Sequence, residues 1–120
     1  MDASRGWRYA AAAFWIANGV NHFRVPRFYE AIVPPPFEPW KREVNLTSGA
    51  AELAGGLAVL PDRTRSAARW WLLATLLCIY WANVHMALRP EKFPRVRPAL
   101  LYARLPMQGL FAWLTWRGTE

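Results

Sequence analysis

Four apolar stretches, each carrying polar groups at helical spacing, limit what this 120-residue chain can fold into. They cover about residues 7–23, 44–60, 70–88 and 99–116, and Arg/Lys- and Pro-rich connections separate them. Apolar runs of this length are too long for strands and suit helices of about five turns. Each also approaches the length a bilayer-spanning helix needs. A water-facing bundle should carry a charged stripe along every helix, and residues 9–20 and 70–88 show none. Several of the eight tryptophans bracket the stretches (Trp7, Trp70, Trp71, Trp113 and Trp116), where amphipathic rings sit at a membrane–water boundary. The expectation is an all-α, four-transmembrane-helix bundle forming a single domain over residues 1–120. It would be a multi-pass protein of the inner (plasma) membrane, with the lipid bilayer as its partner.

Charge agrees with that reading. The net charge of +7 comes from basic residues that flank the apolar runs. A continuous basic face, the footprint of a nucleic-acid binder, is missing, and anionic headgroups account for the charge better. The first stretch is read as a retained helix, since Ala11 and Ala13 come too early for a signal-peptide cleavage site. The run 61–69, with Arg63, Arg65 and Arg69, reads as a short, densely basic loop. By the positive-inside rule it places both termini on the cytoplasmic side.

Glu52 lies in the middle of the second stretch. Helical wheels put Asn45, Ser48, Gly49, Glu52, Gly55 and Gly56 on one arc of about 120°. Small residues there let a neighbouring backbone approach closely, so this face points inward. In the other stretches Asn18, Asn21 and His22 share an arc, as do Leu72, Leu76, Ile79, Tyr80, Asn83 and Met86. The fourth groups Leu100, Arg104, Met107, Gln108 and Phe111. Asn18, Ser48, Glu52, Asn83, Arg104 and Gln108 also fall at similar depth, roughly 7–13 Å at about 1.5 Å per residue. The pattern predicts one polar pocket in the bundle core, with His22 nearer its mouth. The candidate ligand-binding residues are Asn18, His22, Ser48, Glu52, Tyr80, Asn83, Arg104 and Gln108.

Two chemistries fit these groups. A Glu52–Arg104 ion pair, satisfied by Asn18, Asn83 and Gln108, would hold helix register with no further role. Alternatively the same groups bind the polar head of a lipophilic ligand such as a quinone. An unpaired, desolvated Glu52 could then carry a proton.

The first connection has structure of its own. Pro26 suits a helix start, Phe28, Tyr29, Ile32 and Val33 form an apolar face, and Pro34, Pro35 and Pro36 end it. This is a short interfacial helix by expectation. Asn45-Leu46-Thr47 matches a glycosylation sequon but lies at the expected membrane boundary. Cys78 is the single cysteine, so internal disulfides and CxxC chemistry are excluded. It reads as a small hydrophobe. Two histidines without a carboxylate or thiol ligand pattern give no metal site, and His85, on the far side of its helix from Asn83, reads as peripheral.

Taken in order, NHFRVPRFYEAIVPP (21–35), SGAAELAGGLAVLPDRTRSAA (48–68), ANVHMAL (82–88) and RLPMQGLFAWLTW (104–116) resemble the signatures of DoxX-like membrane proteins. The resemblance implies a small inner-membrane bundle of four transmembrane helices. His22, Glu52, Asn83, Arg104 and Gln108 fall on its signature positions. That family takes its name from a membrane subunit associated with thiosulfate:quinone oxidoreductase, which implies a quinone and a membrane redox partner, with no covalently bound cofactor. A structural or assembly subunit, and a sterol-isomerase-like enzyme using Glu52 as proton shuttle, are the alternatives. Ala51 and Gly55, with Glu52 and Gly56, give four-residue spacings that suit contact with a second copy of the chain and, equally, contacts within one bundle.

Overall fold

The computed structural model describes residues 3–31, 33, 35–89 and 98–120. The second connection, with Lys92, Arg95 and Arg97, lies outside them, as do Ile32 and Pro34. Helix α1 spans Ala3–Arg24, α2 Pro26–Ala31, α3 Lys41–Ala58, α4 Asp62–Leu88 and α5 Pro98–Gly118. A 3-10 turn, Pro35–Trp40, leads into α3. Helix α1 packs on α3 and α5, and α4 packs on the same two, so the long helices form a ring. Helix α2 starts at Pro26, as its fixed φ favours, and rests on α3 and α1.

The transmembrane reading does not hold. No helix among the described residues is long and apolar enough to cross a membrane. That corrects the four-transmembrane-helix bundle, the inner-membrane placement and the interfacial role given to α2. The reason lies in what counts as apolar. Glycine, tryptophan and tyrosine, with interspersed Asn, His and Arg, fill part of these stretches and add no hydropathy, and the mean hydropathy of the chain is near zero. Helix α3 begins with Lys41, Arg42 and Glu43 and is rich in Gly, Ser and Ala. Helix α5 carries Arg104, Pro106 and Gln108 in its middle. Large apolar side chains do sit on the outside, among them Leu57, Trp70, Leu77 and Leu88.

Residues 61–69, taken as a basic loop, are mostly the first two turns of α4. Two of their three arginines, Arg65 and Arg69, have structural duties. Arg65 donates from Nε to Val59 O at 3.0 Å and from NH2 to Leu60 O at 2.9 Å. Thr64 Oγ1 donates to Ala58 O at 2.6 Å. These bonds satisfy carbonyls that the end of α3 leaves open. Asp62 then holds Arg65 at 2.8 Å. Arg69 donates from Nε to Thr119 Oγ1 at 3.0 Å and covers the Trp116 ring. The cluster on which orientation rested is therefore a helix junction.

A small core lies between the ring's members, built from Ala12, Trp15, Val59, Ala68, Leu72 and Leu76. Trp15 is buried, and its indole N–H donates to Thr115 Oγ1 at 2.9 Å, tying α1 to α5. The expected small-residue face of α3 is used inside the fold. A side-chain carbon placed at Gly19 would sit 2.9 Å from both Gly49 O and Leu53 N. One at Gly49 would sit 2.7 Å from the His22 Cβ. The two glycines set how closely α1 approaches α3, one turn below His22. Gly55 packs against Leu72 and Trp71, and Gly56 against Ile16, so these spacings are used within one chain, one of the two uses the sequence leaves open.

Candidate functional site

A cavity of about 560 Å³ opens between the long helices. Phe14, Leu76, Ile79, Trp81 and Phe111 give it apolar walls. Into it face polar residues from all four long helices: His22 from α1, Asn45 and Glu52 from α3, Asn83 from α4, and Arg104 and Gln108 from α5. Asn18 and Ser48 line it too, Asn18 with its amide bonded to Phe14 O at 2.8 Å. Tyr80 does not. It is exposed on the outer face of α4 beside Leu77, Trp81 and Val84, a correction to its inward placement. Cys78, read as a small hydrophobe within its span, is exposed.

The expected Glu52–Arg104 pair is not formed. Glu52, 3 % exposed, lies with Oε2 at 2.6 Å from His22 Nε2. Arg104 instead donates from Nε to Asn83 Oδ1 at 3.2 Å. Asn45, 2 % exposed, explains the state of the histidine. Its Nδ2 donates to the His22 carbonyl at 3.0 Å, which turns Oδ1 toward the ring, 2.7 Å from Nδ1. An amide oxygen can only accept, so Nδ1 carries the ring proton. Across the ring, Nε2 and the carboxylate are both acceptors unless a second proton lies between them. At 2.6 Å it must, and the pair is net neutral whichever atom holds it. The imidazole stacks on Tyr29, with ring centroids 3.9 Å apart.

Sequence reasoning left Asn45 and Tyr29 out of the site. Asn45 falls in a sequon match, and its place on the Glu52 arc is the signal that points to the site. Tyr29 belongs to the helix assigned to a bilayer surface, and nothing in its local pattern shows that α2 folds back onto the cavity. Burial raises the Tyr29 hydroxyl above its ordinary value of 10.0; Glu52 adds to the rise and Arg104 opposes it. The folded chain thus holds this proton more tightly than the unfolded one. Stability from the neutral phenol is complete below the ordinary tyrosine range and is lost as pH rises through the raised value. Denaturant midpoints should fall on that alkaline side, and Tyr29→Phe should flatten the fall.

Two buried atoms at the cavity have no hydrogen-bond partner among the described residues: Asn83 Nδ2 and Gln108 Oε1. Native proteins seldom leave such atoms empty-handed, because each costs about 1–3 kcal/mol. Among the described residues no three His, Cys, Asp or Glu side chains gather as a metal site would require.

A family model describing a domain of unknown function, DUF8561, matches residues 11–119. The chain belongs to that family. Every cavity residue named here falls within the matched span. No curated protein and no solved structure matches, and nothing in the DUF8561 match links the chain to the DoxX-like proteins.

Proposed function

We propose that this DUF8561 chain binds a small, largely apolar molecule whose polar end enters the cavity between α1, α3, α4 and α5. The observation that carries the reading is the pair of buried polar atoms at one cavity, Asn83 Nδ2 and Gln108 Oε1, that have no partner among the described residues. A polar core that served packing alone would be expected to satisfy itself, as His22 and Asn45 do. The volume and the aromatic and aliphatic walls suit a small organic ligand with a few hydrogen-bonding groups. A quinone has that character, and so do apolar acids and ketones.

Native mass spectrometry of the gently purified protein, beside Ala82→Trp, tests this. Ala82 lines the cavity, and an indole in its place takes up part of the space while leaving every polar group intact. A one-to-one organic adduct should accompany the parent, or form on adding 1-decanol, and be lost in the variant. A parent that takes up neither, or an adduct that survives Ala82→Trp, sinks the reading.

A further inference from the structure

We propose that the ligand's polar head is an anion of carboxylate type, received by Arg104 and Asn83; this rests on the binding reading above. The charges at the cavity lead there. Glu52 is paired with His22 at 2.6 Å, so the two together add no net charge. Glu43, which also lines the cavity, is exposed in the first turn of α3. No carboxylate among the described residues lies within ion-pair distance of Arg104. A guanidinium keeps its charge in any protein setting. The inner part of the cavity therefore carries one positive charge that nothing in the described chain balances.

Hydrogen-bond direction agrees. Arg104 Nε is a donor, so the Asn83 atom that meets it must be the carbonyl oxygen, as observed at 3.2 Å. The other end of that amide is then an N–H group, buried beside the guanidinium and with no partner among the described residues. The pair offers donors from two side chains, and a carboxylate, with two acceptor oxygens, meets both. Gln108 presents its amide oxygen here, and a half-turn about its last bond presents N–H instead. A cation would meet the Arg104 charge, and an alcohol would leave that charge uncompensated.

The test compares three probes with one apolar tail, decanoate, 1-decanol and decylammonium, titrated calorimetrically into the full chain. Decanoate should bind about tenfold or more tightly than 1-decanol, the margin of a charge-assisted contact over a neutral one. Arg104→Gln should erase that margin, decanoate falling to the affinity of 1-decanol or below. Asn83→Asp, nearly equal in shape, should do the same, because the new carboxylate occupies the guanidinium. It also covers the case in which Arg104→Gln fails to fold. Equal binding of decanoate and 1-decanol, tighter binding of decylammonium, or a preference that survives both variants overturns the anionic head. Failure of all three probes to bind the parent overturns the cavity reading itself.

Discussion

Glu52→Ala should destabilise the fold by about 3–5 kcal/mol, the usual cost of removing one member of a buried ion pair, while Glu52→Gln should cost about 1 kcal/mol. The contrast follows from the side of the imidazole on which the ring proton sits. Asn45 Oδ1 holds it on Nδ1, so the neutral ring presents a lone pair at Nε2. A glutamine amide N–H can donate to that lone pair and refill the gap left by the shared proton. Alanine offers no donor and leaves a void under a buried ring. Set against a typical total stability of about 5–15 kcal/mol, the alanine variant risks unfolding and the glutamine variant does not. Urea midpoints of the two variants decide the matter. Equal losses would mean that the carboxylate charge, not the shape of the proton link, holds α3 to α1.

Gly19→Ala is the second large effect expected, at about 2 kcal/mol net. The added carbon would meet Leu53 Cγ at 2.7 Å and two backbone atoms of α3 at 2.9 Å. Side chains can rotate away, but a helix backbone cannot, so α1 must lift from α3. Overpacking of this kind costs about 1–3 kcal/mol, placed here at or above the top of that range because the clash is with backbone. The gain in helix propensity returns up to about 1 kcal/mol. Gly6→Ala is the matched control, since nothing lies within 4 Å of its added carbon, and it should be neutral or stabilising. The lift also separates His22 from Asn45, so the imidazole N–H signals in NMR spectra should shift in Gly19→Ala and stay in place in Gly6→Ala.

These two sites show what the sequence makes legible. Helical period fixes the face each residue takes, and depth along the helix follows by counting. That is why His22, Glu52, Asn83, Arg104 and Gln108 do meet at one cavity. Period says nothing about which helices are neighbours. In the ring α3 adjoins α1 and α4, and α5 adjoins the same two. Glu52 therefore faces His22 and Arg104 faces Asn83, where the sequence suggested a pair across the ring. Tyr80 marks a different limit. On the wheel it sits at the edge of an arc whose middle holds Leu76 and Asn83, and a small rotation of α4 is enough to turn an edge residue outward. The membrane expectation fails through weighting: tryptophan, tyrosine and glycine sit beside leucine in these runs but add no hydropathy.

The hydrogen bond from Trp15 to Thr115 joins residues 100 positions apart. Its consequence concerns how the molecule is born. Helices α1, α3 and α4 leave the ribosome as an open-sided assembly, and the ring closes only when α5 is released. Until then Phe14 and Trp15 lack the Phe111 and Thr115 partners they meet in the finished ring. At synthesis rates of about 5–20 residues per second, that seam stays open for about a second or longer. A messenger truncated before Pro98 would leave it open for good, yielding a sticky nascent chain instead of a smaller working one.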